Sequence, residues 1–192
     1  LKHHQTVLDV VKNDRTVYGI NTGFGYLAGV KIPNDKLDKL QVNLIRSHAC
    51  GVGKPCDDEV VRGLLVLRAH SFLQGHSGIS ERVLQTILNF LKADILPLVP
   101  EKGSVGASGD LAPLAHLALG LMGEGQCRYQ QKTVPTGEAL QQAGVEPIVP
   151  GPKEGLSLIN GTHFMTVLAA HAVERAKILM RSADVISALS LD

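Results

Sequence analysis

The chain has 192 residues and 44% hydrophobic content, enough for one domain by the usual prior of about 150 residues each and enough to supply a core. Nineteen basic against eighteen acidic residues leave a formal net charge of +1, with no lysine or arginine block to follow a phosphate backbone, which argues against nucleic acid as a partner. Cys50, Cys56 and Cys127 are odd in number and lack a Cys-x-x-Cys spacing, so neither a disulfide framework nor a zinc site is indicated and a reducing, cytoplasmic setting is expected.

The chain begins at Leu1 without an initiator methionine and shows no secretory leader, so its natural start is expected upstream. Val7, Leu8 and Val11 predict the end of an opening helix, Asn13-Asp14 a break, and Thr16-Val17 an extended exit. Tyr18-Gly19-Ile20-Asn21-Thr22-Gly23-Phe24-Gly25 reads as a loop, with glycines and Asn21 interleaved with two aromatics. Asn34 is placed to cap a helix whose apolar face is Leu37, Leu40, Leu44 and Ile45, running to about Arg46. Ser47 and His48 stand at its end, where a histidine by type alone is a polar surface or capping group, and Gly51-Val52-Gly53 closes it. Gly53-Lys54 does not make a phosphate loop, because Pro55 replaces the required Ser or Thr and His48 replaces the first glycine. Asp57 and Ser80 are expected to cap two further helices with faces Val61-Leu64-Leu65-Phe72 and Val83-Leu84-Ile87-Leu88-Leu91. Pro97 and Pro100 then stop helix formation.

Gly103-Ser104-Val105-Gly106-Ala107-Ser108-Gly109-Asp110-Leu111-Ala112-Pro113 sets three glycines around Ser104 and Ser108 directly before an apolar run, Leu111, Leu114, Ala115, Ala118 and Met122, with helical spacing. Asp110 occupies the N-terminal position where a carboxylate suits a helix. A glycine-rich turn into a core helix is the plain reading. A serine-hydrolase elbow fails, since Asp110 stands where its second glycine belongs. Interrupted by His116, the run Leu111 to Met122 falls short of the ~18 residues of a membrane span, and no membrane partner is expected. Gln126 to Pro135 has strand character, Thr136 is placed to cap a short helix ending at Gly144, and Asn160-Gly161 marks a turn. From Thr162 onward Met165, Leu168, Ala172, Ala176, Leu179, Ala183 and Ile186 form the stripe of a bundle helix, which meets no stop signal at Leu191-Asp192 and is expected to continue. His3, His4, His116 and His171 lack ligand spacing, and no metal is assigned.

Three of these stretches, 18–25, 103–113 and 153–162, resemble in composition and order the motifs of the ammonia-lyases and aminomutases that build a methylidene-imidazolone electrophile from their own chain. The resemblance runs from about Val17 to the end. It implies a mainly helical, all-α fold with at most short strands, and a partial lyase domain over residues 1–192, truncated at both ends. Residues 1–105 would form the N-terminal helical portion with the Tyr18 loop, and 106–192 the cofactor loop and the start of the central bundle. The implied cofactor is 4-methylidene-imidazol-5-one (MIO), formed autocatalytically from Ala107-Ser108-Gly109 without a metal. The Gly109 nitrogen would attack the Ala107 carbonyl carbon, an approach that a side chain at 109 would crowd. Loss of water and of the Ser108 hydroxyl would leave an electron-poor methylene.

By the same resemblance Tyr18 is the base that takes the substrate's β-proton. Free tyrosine has a pKa near 10, so ionising it at pH 7 costs about 4 kcal/mol unless positive potential helps. The pair Ser47-His48 is similar to that of members that take histidine, making His48 a substrate-binding residue, and Asn160 lies in the site near cofactor and substrate. The reaction implied is elimination of ammonia from L-histidine to give trans-urocanate, by a homotetramer when full length. An aminomutase that returns the amine to the β-carbon and a non-catalytic piece of such an enzyme are the alternatives. The family also uses an arginine for the substrate carboxylate beyond the stretch covered, so the isolated chain is expected to be catalytically incomplete.

Overall fold

Apolar side chains at helical spacing decide most of the architecture. The computed structural model describes residues 2–191; the two chain ends discussed above, Leu1 and Asp192, lie outside the described residues. The helices are α1 (Lys2–Lys12), α2 (Leu37–His48), α3 (Asp58–Leu73), α4 (Glu81–Ala93), α5 (Leu111–Leu121), α6 (Thr136–Ala143), α7 (Glu154–Ile159) and α8 (His163–Leu191). Five short strands accompany them among the described residues: β1 (Val52–Pro55), β2 (Leu96–Pro97), β3 (Pro100–Lys102), β4 (Gln126–Tyr129) and β5 (Lys132–Pro135). The fold is mainly helical.

One core joins the two halves of the chain. Leu44 and Ile45 of α2, Leu64 and Leu65 of α3, Val83, Ile87 and Phe90 of α4 and Leu114, Leu117 and Leu121 of α5 are all buried in it. The strands are edge pieces. β1 runs antiparallel to β3, pairing Val52 with Lys102, and β2, β4 and β5 form a second antiparallel sheet in which Cys127 opposes Val134. Strands this short accommodate Pro97 and Pro100, which could not donate within a longer central strand.

Several local expectations are corrected. Asn34 lies in a 3-10 turn, and α2 begins only at Leu37 and runs on through His48. Asp57, Ser80 and Asp110 occupy N-cap positions, yet none of their side chains caps its own helix. The Ser80 N–H donates instead to Glu154 Oε1 at 2.8 Å. α7 has no counterpart in the sequence reading. Its six residues include Gly155 and Ser157, weak helix formers, and it exists through packing on α2, where the buried Gln41 Oε1 accepts the Leu156 N–H at 3.1 Å.

The stripe from Met165 to Ile186 is present on α8 but faces outward, with Met165, Leu168, Leu179 and Ile186 all exposed. The buried face of α8 is Phe164 and Val167, and Val167 closes on Gly63 of α3. α8 also exceeds α5 as an apolar helix, because Glu154–Leu191 is long and apolar enough to cross a membrane by length and composition. That stretch is broken at Asn160-Gly161, and α8 carries exposed Glu174, Arg175, Lys177, Arg181 and Asp184.

Gly155 sets how closely α2 and α7 approach, since a Cβ there would stand 2.7 Å from the Gln41 carbonyl oxygen. Gly155→Ala should therefore lower unfolding free energy by about 1–3 kcal/mol in a urea titration. Gly137→Ala in α6, where the added methyl meets only the Gly123 carbonyl at 3.4 Å, should be neutral or stabilising. Equal midpoints for the two variants would contradict this account of the interface.

Candidate active site

The loop from Gly103 to Asp110 joins β3 to α5. Ala107 and Ser108 are exposed, whereas Gly109 and Asp110 are buried. Asp110 is the anchor. Its Oδ1 accepts the Ser104 hydroxyl at 2.6 Å, its Oδ2 accepts the Met165 N–H at 3.0 Å, and its own N–H donates to the Gly161 carbonyl at 2.8 Å. Met165 is in the first turn of α8, where backbone donors lack helical partners, so Asp110 caps a helix from across the fold. Gly109 lies directly on Gly161. With φ at +124°, it would place a Cβ 2.7 Å from the Gly161 oxygen and 2.9 Å from its nitrogen. A glycine at 109 is thus required by packing.

The Asn160-Gly161 turn is held from below by Arg68 of α3, whose relative exposure is 1%. Nη1 donates to the Asn160 carbonyl at 3.0 Å and to His163 Nδ1 at 3.1 Å, and Nη2 donates to the Ser157 carbonyl. The guanidinium lies 4.3 Å from the centre of the Phe72 ring, a cation–π arrangement. Among the described residues no carboxylate forms a salt bridge with it, and its Nε is buried without a partner. Burial lowers its pKa to about 9, which leaves it a cation at neutral pH. Burial, helped by the Arg68 charge and opposed by Asp110, pushes His163 down to about 4, so the ring is neutral and able to accept from Arg68.

Tyr18 precedes Gly19, which packs on α7. Its ring meets Phe24 edge-on with centroids 6.0 Å apart and is 53% exposed. The loop is fixed from within by the fully buried Asn21, which accepts the Val17 N–H at 2.9 Å and donates to the Arg15 carbonyl at 2.8 Å. Gly19, at φ +78°, packs on Leu156 of α7 with no room for a side chain.

His48 ends α2. Its Nδ1 lies 2.8 Å from the Leu44 carbonyl, which can only accept, so Nδ1 carries a proton and donates, and Nε2 is the ring nitrogen left for another partner. Ser47 Oγ donates to the same carbonyl at 2.9 Å. The following segment is tied to the 103–110 loop and α5: Gly51 N–H donates to His116 Nε2 of α5 at 3.0 Å, and Gly103 abuts the Gly51 backbone. Hydrogen bonding and packing therefore connect the Gly109 loop with the Asn160 turn, the His48 segment with the start of that loop, and the Tyr18 loop with α7. No hydrogen bond joins the side chains of Tyr18, His48, Ser108 and Asn160 to one another among the described residues.

The whole chain, residues 1–192, matches the family model for aromatic amino acid lyases. The chain belongs to the aromatic amino acid lyase family. It is 50% identical over 182 residues to the histidine ammonia-lyase of Geobacillus kaustophilus, covering 95% of this chain and 36% of that protein. Among solved structures, it superposes on the histidine ammonia-lyase of Trypanosoma cruzi with a TM-score of 0.88 and 44% identity, covering 95% of this chain and 36% of that one. It superposes on the phenylalanine aminomutase of Pantoea agglomerans with a TM-score of 0.90 and 36% identity, covering 95% and 35%. The lyase chain spans about a third of the length of the curated relatives it matches.

In this lyase chain the tripeptide fits the methylidene-imidazolone that the resemblance implies. Gly109 has no side chain to crowd its nitrogen, that nitrogen forms no hydrogen bond among the described residues, and the Ala107-Ser108 segment is open. Arg68, His163 and the cross-fold role of Asp110 are functional-site features that the sequence reading missed. One signal was available for Arg68, which sits three residues after Leu65 and four before Phe72, on the apolar stripe of α3.

His163 gives the lyase chain a defined pH response. Its folded pKa of about 4 lies below the ordinary 6.5, so its contribution to stability is fully present above pH 6.5 and is lost as pH falls towards 4. His163→Gln keeps an acceptor for Arg68 and removes the titration. The drop in melting temperature between those two pH values should be smaller in His163→Gln than in the parent, read by circular dichroism, and an unchanged drop would contradict the assignment.

Proposed function

We propose that the full-length protein is an ammonia-lyase that eliminates ammonia from L-histidine to give trans-urocanate, and that it works as a cytoplasmic homotetramer without metal, nucleic acid or membrane partner. The observation that carries the reading is the seating of Ala107-Ser108-Gly109 on the Asn160-Gly161 turn, through the Gly109 contact and the Asp110 N–H bond to the Gly161 carbonyl. Ala107, Ser108 and Gly109 would form the MIO ring, which supplies an electron-poor carbon for the substrate amine. Tyr18, braced by Phe24 and acting as its phenolate, takes the β-proton as ammonia leaves. His48 Nε2 accepts the N–H of the substrate imidazole, and the Asn160 amide offers both a donor and an acceptor to a zwitterionic amino acid. The substrate carboxylate needs a cation from beyond these 192 residues, because Arg68 is buried and committed to carbonyls. Such a charge-assisted bond contributes roughly 1.5–3 kcal/mol, so the isolated chain is catalytically incomplete. The outward stripe of α8 supports assembly with further helices.

A second reading, an aminomutase, is favoured by the superposition on the phenylalanine aminomutase. Chromatography of full-length enzyme incubated with L-histidine separates the two, since urocanate supports the lyase and a β-amino acid the mutase. Tyr18→Phe should lower kcat by about 100-fold or more with a much smaller change in KM. A rate near that of the parent would remove Tyr18 from the reaction.

A further inference from the structure

The reaction proposed above makes no use of the buried cation beneath it. Burying a guanidinium without a carboxylate is costly, and well-packed apolar residues often match or exceed an ionic group in stability, so core stability alone is a weak reason for Arg68. Its geometry points elsewhere. The bonds of Arg68 all fall within the segment 157–163: the Ser157 carbonyl, the Asn160 carbonyl and the His163 ring. The cost of the unpartnered Nε is tolerated in an orientation that matches those carbonyls. Gly161 lies between the held Asn160 carbonyl and His163, and a Cβ on it would come 3.1 Å from Nη1. The next carbonyl along, that of Gly161, takes the Asp110 N–H and carries Gly109.

Resting on the reading above, we propose that Arg68 is a positioning residue: its planar fork fixes the Asn160-Gly161 turn, which aims the Asn160 amide and seats Gly109 in the cofactor loop. Lysine cannot replace it, because a single ammonium lacks the rigid fork that reaches two carbonyls at once. Phe72 supports the plane of the guanidinium from α3 itself.

The test uses the full-length protein as parent, Arg68→Lys, Phe72→Leu, and Val83→Ala as a core-truncation control in α4. Amide hydrogen exchange is followed in the peptide covering residues 157–165, alongside kcat and KM for L-histidine. Arg68→Lys should speed exchange in that peptide and lower kcat by about 10- to 100-fold, with KM less affected, as expected of a misplaced site group. Val83→Ala should change neither beyond what its loss of global stability accounts for. Exchange and kcat in Arg68→Lys indistinguishable from the parent overturn the proposal, as does Val83→Ala reproducing both effects at equal stability. Should Arg68→Lys not fold, Phe72→Leu decides: faster exchange at 157–165 than in Val83→Ala supports the proposal, and no difference overturns it. A parent that makes no urocanate defeats the lyase reading, while the exchange comparison still decides whether Arg68 holds the turn.

Discussion

The contact between the backbones of Gly109 and Gly161 is the constraint on which the site depends. Neither residue tolerates a side chain: one at 109 meets the Gly161 backbone, and one at 161 meets His163 and Arg68. Asp110 locks the contact, with a main-chain bond to Gly161 and carboxylate bonds to Ser104 and to the first turn of α8. A loop that would otherwise be a mobile glycine-rich connection is held at its downstream end, and its Ala107-Ser108 portion is left open. The loop therefore has a fixed base under an accessible tip.

The surrounding elements extend that constraint outward. α7 is the hub: its Gly155 lets α2 approach, Leu156 receives Gly19 of the Tyr18 loop, and its C-terminal carbonyls receive Arg68. Gln41 completes the joint by accepting the Leu156 N–H from within α2. A shift of this one short helix would therefore move the His48, Tyr18 and Asn160 segments together. Close backbone approach at glycines and hydrogen bonds to buried polar side chains maintain the spacing, which apolar packing alone specifies less sharply.

Much of the helical frame was legible in the sequence because its signals are local. The stripes Val61-Leu64-Leu65-Phe72 and Leu114-Ala115-Ala118 recur at helical spacing and lie in the core, and Gly144 ends α6 in the left-handed conformation. The stretches around Tyr18 and Ser108 stand out as glycine-rich, whereas Asn160-Gly161 is an ordinary turn dipeptide that only the family resemblance marks. What escaped was long-range. α7 contains weak helix formers and is helical through its contacts with α2. Asp110 by type suits the N-terminus of the helix it precedes, whereas its carboxylate bonds to α8, more than fifty residues away. Arg68 is one charge on an apolar stripe with no local signal of its partners, and the outward direction of the α8 stripe could not be read from periodicity, which gives a face but not what it faces.

The account holds that Ala107-Ser108-Gly109 is a cofactor precursor seated on a rigid base, and the mass of the peptide spanning Gly103 to Pro113 from full-length protein tests it most directly. The account predicts a peptide lighter than its sequence requires by two waters, with the unmodified mass restored except for the substitution itself in Ser108→Ala. A parent peptide found wholly at its unmodified mass, in protein that still converts L-histidine, would contradict it.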